Sequence, residues 1–175
     1  MTRFDVCLQL VLGSEGGYSN HRADKGGATN HGITQAVYDE WRIQCGLGRQ
    51  PVSGISGKEI EAIYLSRYWK LGRCEFLPKP LDYVHFDGCV NHGPRQAAKF
   101  LQRALQVVDD GAIGPKTLQA VGEAYAAGQI PTIIDSILFQ REGFYEHLAR
   151  KDATQAVFLN GWKNRIADVR KDAFA

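Results

Sequence analysis

The sequence predicts an all-α domain with one small β-hairpin or loop excursion near residues 17–33. Apolar side chains recur every three or four residues through most of the chain, which is the period of one helix face. Prolines and glycines interrupt this pattern at short intervals and mark expected helix ends. Strand signals are confined to the glycine-rich stretch 17–33.

The first half of the chain contains three predicted helices. The first has an apolar face formed by Phe4, Leu8 and Val11. The second is expected to begin after Thr34, whose hydroxyl can cap it, and to run through Trp41. A capping-box pattern, Ser56 with Glu59, predicts a third helix that runs to about Trp69.

The second half contains five predicted helices, each recognised by an apolar stripe or by a proline at its start. Gly93-Pro94 separates the first two, and Pro115 and Pro131 suit the first position of the next two. The stripes are Leu81, Val84 and Gly88; Ala97, Leu101 and Ala104; Ile133, Ile137, Phe144 and Leu148; and Phe158, Trp162, Ile166 and Val169. Pro78-Lys79-Pro80 is a plausible seam, so we expect regions 1–78 and 79–175 packed into one globule.

Composition excludes several classes of protein. The net charge is only +2, and no basic run is interleaved with aromatic residues, so we expect no nucleic-acid partner. No apolar run approaches 18 residues, which argues against membrane insertion. The N-terminal helix lacks a cleavage site, so we expect synthesis in the cytoplasm without a signal peptide. We also expect the protein to be a monomer. The four irregularly spaced cysteines are expected to be buried free thiols.

Glu15 is the strongest candidate for chemistry. It continues the apolar face of Phe4, Leu8 and Val11 into a glycine-rich loop. Burial and the negative end of a helix both disfavour the charged carboxylate, so we expect a raised pKa, as a general acid needs. Such an acid suits protonation of a glycosidic oxygen. The alternative is that Glu15 only bonds the amides of the loop.

A second carboxylate and a hydroxyl follow Glu15. Asp24 lies nine residues further on and Thr29 another five, and together they could hold a water molecule on the far side of a sugar ring. Alternatively, Asp24 is a turn residue that bonds its own backbone. Four nearby polar side chains are candidates to line a sugar cleft: Tyr18, Asn20, His31 and Gln35.

Three motifs in order resemble the family 108 glycoside hydrolases, the phage-type N-acetylmuramidases, some of which carry the label "secretion activator protein". The run 15–34, EGGYSNHRADKGGATNHGIT, resembles their signature. Residues 81–121 resemble the predicted peptidoglycan-binding region of that family, and FLNGWKNRI, 158–166, resembles its closing motif. The resemblance implies a lysozyme-like, mainly helical fold.

The resemblance also implies hydrolysis of the bond between N-acetylmuramic acid and N-acetylglucosamine in peptidoglycan. By this resemblance, region 1–78 would be the catalytic region and Glu15 its catalytic acid. Asp24 and Thr29 would be the further catalytic residues, and no cofactor would be needed. The interval from Asp24 to Thr29 is one residue shorter than in phage T4-type lysozymes, and His21-Arg22 and Lys25 depart from the family pattern. A holin-type export partner and action on the cell wall after release are implied as well.

The second region, 79–175, contains a predicted tight turn, Asp110-Gly111 to Gly114-Pro115, before a helix whose exposed amides could bind an anionic or acetamido oxygen. The alternative is a simple helix–helix corner. Asn91 and Gln102, with Arg103 beside them, are candidates to face a cleft.

Two rival functions come from other classes. His85, Cys89 and His92 share a helical face and could hold zinc in a wall peptidase or amidase, although core and cap roles are favoured and no metal is expected. The other rival is a wall-binding accessory protein without catalysis. Analysis of digested cell wall would separate the three functions. A glycosidase produces new reducing ends, a peptidase or amidase produces new free amines, and a binding protein produces neither.

Overall fold

The computed structural model describes residues 1–13, 17–18 and 27–175. Glu15, Asp24 and Asn20 therefore lie outside the described residues. Over the described ranges the protein has eight α-helices and one two-stranded antiparallel sheet. The predicted mainly helical fold with a small hairpin is confirmed.

The chain divides into two compact units, Met1–Arg67 and Tyr68–Ala175, called the first unit and the second unit below. In the described part of the first unit the elements are α1 (Arg3–Gly13), β1 (Thr29–Asn30), β2 (Ile33–Thr34), α2 (Gln35–Gln44) and α3 (Gly57–Tyr64). A 3₁₀ turn, Val52–Gly54, lies between α2 and α3.

The helix starts of the first unit follow local side-chain signals. Val37 donates its backbone N–H to the Thr34 hydroxyl, so Thr34 caps α2 as predicted, although the helix continues past Trp41. The Ser56 hydroxyl and the Glu59 carboxylate exchange hydrogen bonds with each other's backbone amides, which completes the predicted capping box of α3.

The hairpin pairs Thr29 with Thr34 and Asn30 with Ile33. Its two turn residues, His31 and Gly32, both have positive φ, at 48° and 72°. Two-residue hairpin turns with this geometry match the twist of the flanking strands, and glycine adopts it without strain. The predicted excursion is therefore a tight hairpin at the end of the glycine-rich stretch.

A π-helical segment, Leu65–Lys70, follows α3 directly. Helical backbone therefore does extend to about Trp69, as predicted, but its last turns are π-helical and wider than an α-helix. Trp69 is buried and meets Phe86 edge to face, with ring centroids 5.3 Å apart. Such aromatic pairs contribute beyond their buried area.

The second unit contains five helices: α4 (Leu81–His92), α5 (Pro94–Ala104), α6 (Pro115–Ala126), α7 (Ile130–Lys151) and α8 (Leu159–Ala173). A short 3₁₀ turn, Cys74–Phe76, precedes α4, and another, Ala153–Phe158, precedes α8. Pro115 occupies the first position of α6 as predicted, whereas Pro131 is the second residue of α7. Phe158 lies just before α8 and is half exposed.

Helix α4 is the centre of the second unit. Every residue from Leu81 to Cys89 is buried, including Asp82, His85 and Asp87. A helix buried on all faces must satisfy its polar side chains within the protein, because no water is available to them. None of the helices described by the structure is long and apolar enough to cross a membrane.

Candidate functional site

The structure describes the two elements that flank the segment containing Glu15 and Asp24. On the N-terminal side, α1 buries Phe4, Leu8 and Val11, so the apolar face that precedes Glu15 in sequence is confirmed. Neither carboxylate lies among the described residues. Their roles stay predictions.

On the C-terminal side, buried hydrogen bonds anchor the hairpin. The buried Asn30 side chain donates to the Val52 carbonyl at 3.2 Å, and the Tyr64 hydroxyl donates to the His31 carbonyl at 2.8 Å. These bonds join Asn30 and the first turn residue, His31, to distant parts of the first unit. Since buried polar groups are costly to leave unpaired, the hairpin has one favoured position.

Gln35 is part of the same anchorage. Its amide nitrogen donates to the Gln50 carbonyl and to Asp39, both at 2.9 Å, and its amide oxygen accepts from the Val52 amide at 2.7 Å. These contacts show that Gln35 holds the first unit together. Its place in a sugar cleft stays a prediction.

Tyr18 and His31 are the other described members of the predicted cleft, and Thr29 is the described member of the predicted catalytic set. His31 lies in the hairpin turn and is half-buried. The Thr29 hydroxyl donates to the Gly27 carbonyl at 3.2 Å, which leaves its oxygen able to accept a further hydrogen bond. The Tyr18 ring is exposed.

The predicted turn before α6 is a loop held by one buried amide. Gln102 donates to Asp110 at 2.8 Å, to the Ala112 carbonyl at 3.0 Å and to Thr117 at 3.3 Å, and it accepts from the Gly111 amide at 2.9 Å. Gln102 is therefore a support of the loop, and any effect on a ligand would pass through the loop.

Asp110 is the exposed end of this arrangement. Hydrogen bonds from the Ala112 backbone amide and from Gln102 lower the pKa of its carboxyl group. Gly111 has a φ of 79°, and a β-carbon there would lie 2.7 Å from Arg95 Cγ. Only glycine fits this backbone and this close approach.

Two grooves, each with a volume of several hundred cubic ångströms, share Asp110 and Ala112 on their walls. The first groove, about 650 Å³, lies beside the start of α6 and has a largely apolar lining; its walls also include Gln106, Val107, Val108, Pro115 and Lys116. The second groove, about 670 Å³, is lined by two arginines, Arg73 and Arg95. Both grooves are formed by residues of the second unit.

Asn91 contacts its own helix. Its amide donates to the Asp87 carbonyl at 2.8 Å and lies 3.4 Å from the Asp87 carboxylate. This contact belongs to a buried charge cluster, Asp87, Arg141 and Arg165, that sequence reasoning did not identify. Arg141 and Arg165 each approach one carboxylate oxygen of Asp87 at 2.6 Å.

His92 completes the surroundings of Arg141. The Arg141 Nε donates to His92 Nε2 at 3.2 Å, and the imidazole packs against the rings of Phe144 and Tyr145. Burial and the positive charge of Arg141 lower the pKa of His92 to about 3. Trp162 stacks on Tyr145 with ring centroids 4.6 Å apart, in keeping with its predicted packing role.

The low pKa of His92 should make the protein less stable in mild acid. In the unfolded chain a histidine has a pKa of about 6.5. Between that pH and about 3, the unfolded state therefore binds one proton more than the folded state. Stability therefore falls as the pH drops, by up to about 2 kcal/mol between pH 7 and pH 5. Urea unfolding at both pH values should show this loss.

His92→Gln keeps an acceptor for Arg141 but cannot titrate, so it should reduce the loss of stability in acid. His147→Gln, at an exposed position of the same protein, is the matched control and should keep the wild-type dependence. An unchanged dependence in His92→Gln would show that other groups cause it.

The rival zinc trio His85, Cys89 and His92 does not form. His92 lies seven residues after His85, or roughly 10 Å along the helix axis, and its imidazole is committed to Arg141. The third member of the cluster is Cys74: donor atoms of Cys74, His85 and Cys89 all lie within 4.8 Å of one another. Burial by itself raises the pKa of the Cys89 thiol, but the hydrogen bond from Cys74 and the charge of His85 bring it to about 6.

Comparison with known proteins agrees with this architecture. Residues 8–93 match the family model of glycosyl hydrolase 108, and residues 96–167 match that of the Predicted Peptidoglycan domain. The structure of SagA from Brucella abortus is similar, with a TM-score of 0.82 and 32% sequence identity, over 98% of this chain and 93% of that chain. A search of curated proteins returns no significant match. The chain therefore belongs to the glycosyl hydrolase 108 family and continues into the predicted peptidoglycan domain.

Proposed function

We propose that the protein is an N-acetylmuramidase that cleaves the bond between N-acetylmuramic acid and N-acetylglucosamine, with Glu15 as general acid. Family membership already supports a glycoside hydrolase with a peptidoglycan-related, lysozyme-like function. The observation that carries the finer proposal is the tandem match, in which a glycosidase family model is followed directly by a peptidoglycan domain.

In the proposed mechanism Glu15 protonates the oxygen of the leaving sugar. Positive charge then develops at the anomeric carbon, and Asp24 stabilises that charge or deprotonates an incoming water. The buried apolar face of α1 supports the acid role, since it precedes Glu15 in sequence and a carboxyl on such a face favours its neutral form. The Thr29 hydroxyl donates its proton to the Gly27 carbonyl, so its oxygen can accept a hydrogen bond from that water.

The anchored hairpin supports the same proposal. The Asn30 side chain and the Tyr64 hydroxyl anchor the hairpin at Asn30 and His31, so contacts within the protein hold the strand that carries Thr29. Preorganised polar groups stabilise a transition state without further rearrangement. We assign this catalytic role to region 1–78.

In the proposal, region 79–175 contributes contacts to the wall polymer, together with Arg73 from the turn just before it. The second groove places the guanidinium groups of Arg73 and Arg95 beside the loop that Gln102 holds. Guanidinium groups pair well with carboxylates, and peptidoglycan stem peptides carry carboxylates. The partner is thus the glycan strand with its peptides, reached in the cell wall after release through a holin-type export partner.

Mass spectrometry of digested peptidoglycan tests the function. Incubating purified full chain with purified wall should release fragments that end in reducing N-acetylmuramic acid. Reducing N-acetylglucosamine ends would instead identify a glucosaminidase, new free amines a peptidase or amidase, and no new ends a binding protein. A parallel digestion in EDTA should give the same type of product end, because the proposed mechanism relies on carboxylates and not on a metal ion.

A further inference from the structure

Three metal-ligating side chains meet in the interior of the second unit, and the proposed mechanism uses none of them. Cys74 lies in the 3₁₀ turn before α4, and His85 and Cys89 lie one helical turn apart on α4. Their relative exposures are 0%, 1% and 0%. Their donor atoms lie within 4.8 Å of one another.

The orientation of His85 suits a metal ligand. Its Nε2 lies 3.0 Å from the Gly72 carbonyl, and a carbonyl oxygen can only accept, so Nε2 carries the proton. In the neutral imidazole, the form that binds a metal, the other nitrogen, Nδ1, then holds the lone pair. Metal-binding histidines usually have this arrangement, with the second ring nitrogen donating to a carbonyl or carboxylate.

Gly72 lets the two sulfur atoms come together. A β-carbon at this position would lie 2.6 Å from Cys89 Sγ and 3.1 Å from Cys74 Sγ, closer than real side-chain contacts. It would also lie 2.6 Å from the Tyr68 carbonyl oxygen. Two sulfurs and a main-chain oxygen thus surround one point that a larger residue would fill.

We propose that Cys74, His85 and Cys89 bind one Zn²⁺ ion, which joins the turn before α4 to that helix. Two thiolates and one imidazole are a ligand set typical of zinc. Tetrahedral zinc with bonds of about 2.3 Å to sulfur needs donors roughly 3.5–4 Å apart, so small side-chain rotations suffice. The fourth position is left for an oxygen. The Tyr68 carbonyl oxygen, which accepts from the Gly72 amide, is a candidate because it lies 2.6 Å from the position of a Gly72 β-carbon.

A disulfide between Cys74 and Cys89 is the alternative use of the two sulfurs. Both cysteines are free in the structure. A disulfide would leave the buried imidazole of His85 and its bond to Gly72 without a role, whereas zinc uses all three side chains. The cysteines bind as thiolates and the histidine as a neutral imidazole, so uptake of the ion by the reduced protein releases two protons to solvent, one from Cys74 and one from the Cys89–His85 pair.

The proposed zinc is structural. Its ligands are buried, so the ion has no open position that a polysaccharide could reach, in contrast to a catalytic zinc. Gly72 and Arg73 line the second groove, so the ion would stiffen one wall of that groove. Loss of zinc should therefore lower stability and leave the type of glycan product unchanged.

Metal analysis of the full-length protein, purified under reducing conditions and dialysed, tests the proposal. Wild type should retain about one Zn²⁺ per chain. Cys89→Ser should lose it, whereas Cys45→Ser, at the exposed cysteine, should keep it. Gly72→Ala keeps every ligand but crowds the sulfurs, so it should also lose zinc; Gly122→Ala, with open space around it, is the control.

Substitution of wild type with Co²⁺ gives an answer even where a variant fails to fold. Thiolate ligation should produce intense sulfur-to-cobalt charge-transfer absorption in the folded wild-type protein. The proposal is overturned if reduced wild type takes up no added Zn²⁺, if Cys89→Ser retains it, or if the Co²⁺ spectrum shows no thiolate ligation. A Cys74–Cys89 disulfide in peptide maps of the native protein, with no zinc uptake after reduction, would equally overturn it.

Discussion

Replacing Glu15 with glutamine is expected to slow cleavage of peptidoglycan by roughly 10²–10⁴-fold, the usual contribution of a general acid. Glutamine has nearly the same shape as glutamate but has no proton to give to the leaving oxygen. The substitution should therefore remove catalysis while leaving the fold and binding to the wall intact. The measurement is the rate at which reducing ends appear in purified peptidoglycan.

Glu61→Gln is the matched control for this experiment. Glu61 is an exposed glutamate of α3 in the same unit, so the variant has the same change in net charge and should keep the wild-type rate. Sedimentation with insoluble wall should show equal binding of both variants. A Glu15→Gln variant that cleaves at the wild-type rate would refute the assignment of the acid.

Replacing Asp87 with asparagine is expected to destabilise the second unit by about 3–5 kcal/mol, since the fully buried Arg141 loses the carboxylate with which it pairs. Asp87 and Arg141 are 1% and 0% exposed. Water therefore cannot replace the lost carboxylate. Unfolding in guanidinium chloride measures the loss, which is a large fraction of the stability of an ordinary domain.

Asp135→Asn provides the comparison, because Asp135 pairs with Arg170 on the surface. Exposed ion pairs contribute about 0–1 kcal/mol, so this variant should unfold close to wild type. An equally small effect of Asp87→Asn would contradict the importance of the buried cluster.

The lowered pKa of Asp87 explains why this carboxyl is charged, and can pair with the arginines, at neutral pH. Burial alone raises the pKa of this carboxyl, but the charges and hydrogen bonds of Arg141 and Arg165 hold it below its ordinary value. A lowered pKa in the folded state stabilises the protein above the pKa of the unfolded state. This contribution is lost as the pH falls through the lowered value.

The helices of this protein could be predicted because their signals are local. Thr34 and the Ser56–Glu59 box act on amides three residues away, so a short window of sequence contains both partners. Where a prediction was imperfect, a backbone feature was responsible, as with the π-helical turns that begin at Leu65. Nothing in the residue pattern distinguishes such turns from an ordinary helix.

The polar contacts of the second unit could not be predicted in this way. Asp87 binds Arg141 and Arg165 across 54 and 78 residues of sequence, and each of these residues alone resembles an ordinary surface charge. His92 was a plausible partner of His85 because the two share a helix face. Cys74, from a separate turn, occupies the place beside His85 and Cys89 instead.

The sequence alone determined the helical class, the hairpin, the helix caps and, through its motifs, the family and the proposed acid Glu15. These depend on short-range periodicity and on residues that keep a fixed order along the chain. Only the tertiary structure decided that Gln102 holds a loop, that the buried Asp87 pairs with Arg141 and Arg165, and that two cysteines and a histidine converge. Such contacts arise when packing removes water from side chains far apart in sequence, which then must satisfy one another.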